Sequence, residues 1–232
     1  MPEPVDPAPG DPAPVAPGPV APGPVRPPRR PLWILLGALL ALVGALVVWD
    51  VVRPVPYTYL SEPLSNPTVA SDFTLRSASG PVRLSDFHGK VVVLFFGYTH
   101  CPDVCPTEMM ELARIHGSLP AADRVRVEVA MISVDPERDT PEVMATYAHA
   151  FSPAFHGLTG APDAIAAVAK QFFVSYQKTD QTGPDAYFMR HTAAVYVLDP
   201  QRRLRLIYGG DDLASHPDHV ATDLLHLLAE VS

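Results

Sequence analysis

The chain has 232 residues, 28 of them proline and only two cysteine, with a formal charge of −8. Thirteen prolines fall before position 32. Residues 1–49 balance three acids against three bases, so the acidic excess (22 acids, 14 bases) belongs entirely to the remainder. An acidic body with no basic stripe interleaved with aromatics lacks the electrostatic footprint of DNA or RNA binding, and the uneven composition excludes a single soluble cytosolic body.

Residues 1–31 repeat Pro-Ala-Pro and Pro-Gly-Pro-Val with no aromatic residue, which predicts a disordered, extended cytoplasmic tail. From Leu32 to Trp49 every residue is apolar or glycine. Eighteen residues at 1.5 Å each give a helix of roughly 27 Å, about the thickness of bilayer hydrocarbon. Trp33 and Trp49 stand at its two ends, as an interfacial belt requires. No Ala-x-Ala pattern follows the run and no cysteine lies near it, so the reading is a retained transmembrane anchor over 32–52. Arg26, Arg29 and Arg30 precede it, against Asp50 and Arg53 after it. The positive-inside rule then keeps the N-terminus in the cytoplasm, with one span in the inner membrane and the C-terminal domain on the extracytoplasmic or periplasmic side. Residues 53–65 read as a linker and 66–232 as one folded domain.

Within that domain, 91–97 (VVVLFFG) is an all-apolar run suited to a strand buried on both faces, and 127–134 and 193–198 read alike. Residues 203–208 alternate and suit a half-exposed strand. Helical spacing covers 107–119, 140–151, 162–173 and 219–231, with Thr140-Pro141-Glu142 supplying a cap and a proline at the first helical position. Residues 175–190 show neither period and read as a loop or hairpin. The series predicts an α/β domain with a central mixed sheet flanked by helices and a late antiparallel hairpin.

Chemistry concentrates in Thr99-His100-Cys101-Pro102-Asp103-Val104-Cys105-Pro106-Thr107, which follows the first buried strand and precedes a helix. Open α/β sheets carry ligand sites at the carboxyl ends of their strands. Two cysteines three residues apart can close a disulfide or converge two thiolates on one ion, and a helix start would favour the thiolate. An inert disulfide is the bland alternative, but a loop this short removes little chain entropy, so it makes a poor staple. Of nine histidines, His88, His116, His149, His156, His216, His219 and His226 read as solvated or satisfied residues of helices and loops. His100 adjoins Cys101, yet neighbours in sequence usually point apart. His191 stands just before the 193–198 strand, and periodicity cannot tell whether that strand lies beside 91–97.

The string Phe96-Gly97-Tyr98-Thr99-His100-Cys101-Pro102-Asp103-Val104-Cys105-Pro106-Thr107 resembles the signature of the SCO/SenC family of membrane-anchored copper proteins. Phe73-Thr74-Leu75, Gly89-Lys90-Val91, the segment Ser133-Val134-Asp135-Pro136-Glu137-Arg138-Asp139-Thr140-Pro141, and His191-Thr192 leading to Tyr196-Val197-Leu198-Asp199-Pro200 extend the likeness over about residues 66–230. The resemblance implies a thioredoxin-like fold and one copper ion, Cu(I) or Cu(II), held by Cys101, Cys105 and His191. It also implies a role in maturing the binuclear copper site of cytochrome c oxidase subunit II, with another extracytoplasmic protein as copper donor. Two departures stand out. The family often has an acid before that histidine, where this chain has Arg190, a positive charge next to the site; and Gln201-Arg202 replaces the glycine that follows Asp-Pro.

The donor types agree with that implication. Two thiolates select Cu(I), and an added imidazole completes a trigonal set that also holds Cu(II), whereas a zinc staple usually needs four protein ligands. The leading reading is a copper metallochaperone, a binding and transfer protein without turnover. The competing class is a thiol–disulfide oxidoreductase that reduces subunit II before metallation, with Cys101 and Cys105 as the redox pair. Its marks would be independence from His191, and C-x-x-C in place of the C-x3-C found here.

Overall fold

The structure is a computed structural model that describes residues 18, 23, 32–53, 57–179 and 187–230. The tail expected to be disordered over 1–31 lies outside the described residues except for Gly18 and Gly23. The chain divides into two compact units, residues 1–56 and 57–232. The first contains helix α1 (Leu32–Val52), which is 21 residues long, exposed throughout and apolar enough to cross a membrane. An ion pair between Asp50 and Arg53 (2.5 Å) closes its C-terminal end.

In the second unit the elements run β1 (Thr74–Ser77), β2 (Gly80–Arg83), β3 (Val91–Gly97), α2 (Val104–Ser118), α3 (Ala121–Arg124), β4 (Val127–Ser133), α4 (Pro141–Phe151), β5 (His156–Leu158), α5 (Pro162–Gln171), β6 (Tyr176–Thr179), β7 (Phe188–His191), β8 (Ala194–Leu198), β9 (Leu204–Gly209), α6 (Asp212–Ser215) and α7 (Pro217–Ala229). A five-stranded sheet has the order β5-β4-β3-β8-β9. β3, β4 and β5 are parallel, while β8 runs antiparallel to both β3 and β9. Every residue of β3 is buried, as its unbroken apolar run requires of a central strand covered on both faces.

The sequence boundaries hold to within a few residues for the long elements. The 175–190 stretch is the hairpin β6–β7, whose tip lies outside the described residues. At α4 the Thr140 hydroxyl accepts the Val143 N–H (3.3 Å), the cap the Thr-Pro-Glu string predicts. The β1–β2 hairpin, β5, α3 and α6 have no counterpart in the sequence reading, because elements of three or four residues are too short to show a period. The departure at Gln201-Arg202 falls in the β8–β9 turn. Arg202 adopts φ +63°, a left-handed conformation that costs a non-glycine residue about 1 kcal/mol. Buried Asp199 offsets it by accepting the N–H groups of Gln201 (3.0 Å) and Arg203 (2.9 Å) and the Arg203 guanidinium (2.7 Å).

Part of the segment read as linker is laid on the domain. The Tyr57 hydroxyl and the Leu60 N–H donate to fully buried Asp223 (2.5 and 3.1 Å), which also accepts the Tyr208 hydroxyl (2.7 Å). Ser61 donates to the Ile207 carbonyl (2.7 Å), and the Leu64 N–H to the Arg205 carbonyl (3.0 Å). Nothing in the composition of 57–64 announces this, since its partners lie more than 140 residues away.

Candidate metal centre

β3 ends at Gly97, and the chain turns through 98–103 before α2 begins at Val104. That start is three residues earlier than the spacing predicts. Pro106 falls in the first turn, where a missing N–H removes no helical bond. Cys105 is therefore in the first turn of α2 and fully buried, and Cys101 is half-buried in the loop. Both are free thiols, and the Cys105 N–H donates to Cys101 Sγ (3.4 Å).

The antiparallel pairing of β8 with β3 sets Val195 opposite Phe95, so the start of β8 lies at the end of β3. His191, the last residue of β7, thereby arrives beside the cysteines, its Nε2 3.5 Å from Cys105 Sγ. Its Nδ1–H donates to the Thr192 carbonyl (3.2 Å), which leaves Nε2 as the lone-pair nitrogen facing the sulfurs. The rings of Phe95 and Tyr98 pack against it nearly perpendicularly (centroids 6.2 and 5.9 Å, interplanar angles 74° and 88°). One donor atom from each of Cys101, Cys105 and His191 lies within 4.8 Å of the others, the only such group of three or more His, Cys, Asp or Glu among the described residues. Two sulfurs and one imidazole nitrogen form a soft, three-donor set that fits a monovalent or divalent copper ion.

His100 stays outside this group. It is exposed, 3.1 Å from the Thr99 hydroxyl and 3.9 Å from Asp139. His116 is satisfied by the Val127 carbonyl (3.3 Å) and His156 by Glu128 (2.8 Å), while His219 reaches the Thr58 carbonyl (3.2 Å). Arg190 is exposed. The alternating burial of β7 turns it to the face opposite Met189 and His191, which separates its charge from the donors more than sequence adjacency suggests.

The loop is held by residues whose roles the sequence reading did not assign. Fully buried Asp139 accepts the Thr99 N–H (3.2 Å), the Thr99 hydroxyl (2.5 Å) and the Ser133 hydroxyl (2.6 Å), so the chain entering Cys101 is tied to the end of β4. Buried Asp135 accepts Arg138 Nε (2.5 Å) and the Tyr187 hydroxyl (2.6 Å), and the Arg138 guanidinium stacks 3.7 Å from the Tyr187 ring centroid. The signal was the Asp-Pro-Glu-Arg-Asp-Thr string. Tyr187, in a stretch without periodicity, gave none.

The two thiols titrate as a pair. The Cys105 S–H donates to Cys101, which outweighs burial and, with the N–H groups of Asp103 and Cys105 and the nearby His191, brings the Cys101 thiol down from its usual 9 to about 5. Cys105 is pushed up, first by sharing that hydrogen bond and then by burial. The apo, reduced protein should accordingly be alkylated by iodoacetamide at Cys101 alone. The rate should rise as pH passes through about 5 and level off above it, since the thiolate is the reactive form. A midpoint near 9, or equal labelling of both cysteines in peptide mass maps, would contradict the assignment.

A model of the SCO1/SenC family matches residues 61–229. The chain belongs to the SCO1/SenC family. Curated relatives include the mitochondrial SCO1 homolog 1 of Arabidopsis thaliana, 38% identical over 151 residues (65% of this chain, 45% of that protein), and the mitochondrial SCO2 homolog of Bos taurus, 40% identical over 131 residues (56% and 49%). The chain thus spans about half the length of the curated relatives it matches. Among solved structures it is similar to apo Sco1 from Thermus thermophilus (46% identical, TM-score 0.69, covering 75% of this chain and 99% of that one). It is also similar to ScoI from Bradyrhizobium japonicum with copper bound (37%, TM-score 0.63, 69% and 99%). The SCO1/SenC domain has the expected α/β, thioredoxin-like architecture with a central mixed sheet, accompanied by one N-terminal apolar helix.

Proposed function

We propose that this SCO1/SenC protein is a membrane-anchored copper metallochaperone that binds one copper ion through Cys101, Cys105 and His191 and delivers it to the binuclear site of cytochrome c oxidase subunit II. The observation that carries the reading is the convergence of two sulfurs and one imidazole nitrogen within 4.8 Å at the end of β3. The family match, and copper in the similar Bradyrhizobium japonicum and Arabidopsis thaliana ScoI structures, support it. Residues 32–52 are the anchor, with the N-terminus cytoplasmic and 66–232 the extracytoplasmic copper-binding domain. A reporter fused after Ser232 should work only if it is of a type active outside the cytoplasm, and activity of a cytoplasm-only reporter there would reverse the orientation.

A thiol–disulfide reductase acting on subunit II is the second reading, favoured by the half-exposed Cys101 thiol and its lowered pKa. His191→Ala separates the two. Two thiolates alone hold Cu(I) in a near-linear arrangement, while Cu(II) needs nitrogen, so the variant should lose its Cu(II) thiolate-to-metal absorption band yet keep much of its Cu(I) binding and its thiol exchange. A full Cu(II) band in the variant would remove His191 from the ligand set. An undiminished capacity to mature the oxidase despite the lost band would favour the reductase.

A further inference from the structure

We propose that the face running from Phe173 past Tyr176 to Arg190 docks the protein that exchanges copper with this site, taking an apolar side chain of that partner at Phe173 and its carboxylates at Lys170 and Arg190. The inference rests on the copper-exchange reading above and names the chemistry of the partner's surface.

Phe173 stands just past the C-terminal end of α5. The Val174 N–H donates to the Ala169 carbonyl (2.8 Å) and the Phe173 N–H to the Lys170 carbonyl (3.2 Å), the pair of bonds that closes a helix through one left-handed residue, commonly glycine. Here that residue is phenylalanine, at φ +59°. The fold gives its ring little cover in return, since Phe173 is 80% exposed. Backbone strain and a large wetted apolar ring are both unfavourable in the protein alone, and glycine at this position would remove both. A partner that buries the ring offsets them, which is how strained residues come to persist at binding sites.

Two open hollows carry the face from this ring to the copper donors. One, of about 640 Å³, is lined by Ala169, Phe173, Val174 and Tyr176 together with Lys170. The other, of about 340 Å³, is lined by Tyr176, Gln177, Arg190 and His191. Ser175 and Tyr176 line both, so the two are contiguous, and Tyr176 pairs across the hairpin with His191. A body seated over Cys101, Cys105 and His191 therefore meets this face as well. The charges on it say what kind of body. The chain is acidic overall, yet Lys170 and Arg190 are exposed cations that form no ion pair among the described residues. An apolar ring between two free cations fits an apolar side chain flanked by carboxylates, the ring supplying affinity and the cations steering and register.

The test measures binding of the soluble copper-receiving domain of cytochrome c oxidase subunit II to the copper-loaded, full-length protein in detergent, at low and high salt. Phe173→Gly should raise Kd about tenfold or more, through faster dissociation. Its melting temperature should rise by about 2–4 °C as the left-handed strain is relieved, and its copper affinity, measured on the same samples, should not change. Binding by the wild type should weaken with salt, and the double variant Lys170→Glu with Arg190→Glu should associate more slowly and lose that salt dependence. A lower melting temperature in Phe173→Gly would make the ring part of the core, and an unchanged Kd would leave it outside the interface; either result would overturn the inference. So would a wild-type dimer that Phe173→Gly dissolves in sedimentation, which assigns the face to a second copy of the chain. Protection of residues 170–176 from hydrogen exchange in lipid nanodiscs without any partner would assign it to the bilayer, and would overturn it too. A wild type that binds no copper, or no subunit II domain, would overturn the reading on which the inference rests and the inference with it.

Discussion

Replacing either cysteine by serine should abolish tight Cu(I) binding. Losing a partner that merely supports a ligand costs about 10- to 100-fold in metal affinity, so losing one of the two thiolates, on which Cu(I) binding chiefly depends, should cost more than about 100-fold. Serine makes matters worse by offering a hard oxygen where Cu(I) needs a soft donor. The two variants should differ in their effect on folding. Cys101 is half-buried in a loop, so Cys101→Ser should melt close to wild type. Cys105 is fully buried and packed at the start of α2, so Cys105→Ser puts a hydroxyl into the apolar core and should lower stability by about 1–3 kcal/mol. Cu(I) affinity from chelator competition, copper content by elemental analysis and thermal melts of the apo forms check all three statements. Retention of one tightly bound copper in either variant would sink the three-donor site.

Gly97→Ala should damage the same site without touching a ligand. A Cβ at Gly97 would lie 2.8 Å from Phe95 Cε1, 2.9 Å from Cys105 Sγ and 3.0 Å from Met131 Cε. The methionine end can swing aside, but the packed Phe95 ring and the Cys105 sulfur cannot move without cost, and overpacking of this kind costs about 1–3 kcal/mol. For a domain of this length that corresponds to a fall in melting temperature of roughly 2–12 °C. Moving Cys105 Sγ also opens its 3.5 Å approach to His191 Nε2, so copper affinity should drop about tenfold or more, comparable to the loss of a supporting partner. Gly117→Ala is the control. Gly117 is an exposed helical position of α2 with no atom within 4 Å of an added Cβ, and the change should stabilise by about 0.5–1 kcal/mol with copper binding intact. Equal behaviour of the two variants would contradict the close packing at the end of β3.

The sheet strands and the helices around them were legible because each carries its own period. The all-apolar 91–97 run specified a strand buried on both faces, and the Thr-Pro-Glu cap specified the start of α4, since burial and capping act within a few residues. The Cys-x3-Cys loop was likewise readable as a site from its place between strand and helix. Its supports were not. Asp139 and Asp135 stood in a quoted string with no role attached, because their partners Thr99 and Tyr187 lie 40 and 52 residues away. The strap from Tyr57 to Leu64 depends on Asp223 in the same way and read as plain linker.

The sequence by itself thus determined an apolar N-terminal helix, an α/β domain after it, and a pair of soft donors at the end of the first buried strand, since local pattern and residue type suffice for each. Periodicity and spacing left His191 open and only the family resemblance pointed to it; the tertiary structure brings His191, and none of the other eight histidines, to that pair. The decision lies in the direction and register of β8 on β3: antiparallel pairing with Val195 opposite Phe95 carries the residues just before β8 to the cysteines. Parallel pairing would have carried them to the far end of the sheet. Hydrophobic periodicity states that a strand is buried, but the direction of its neighbour is a property of the assembled sheet, fixed by hydrogen bonds and crossovers that no local stretch contains.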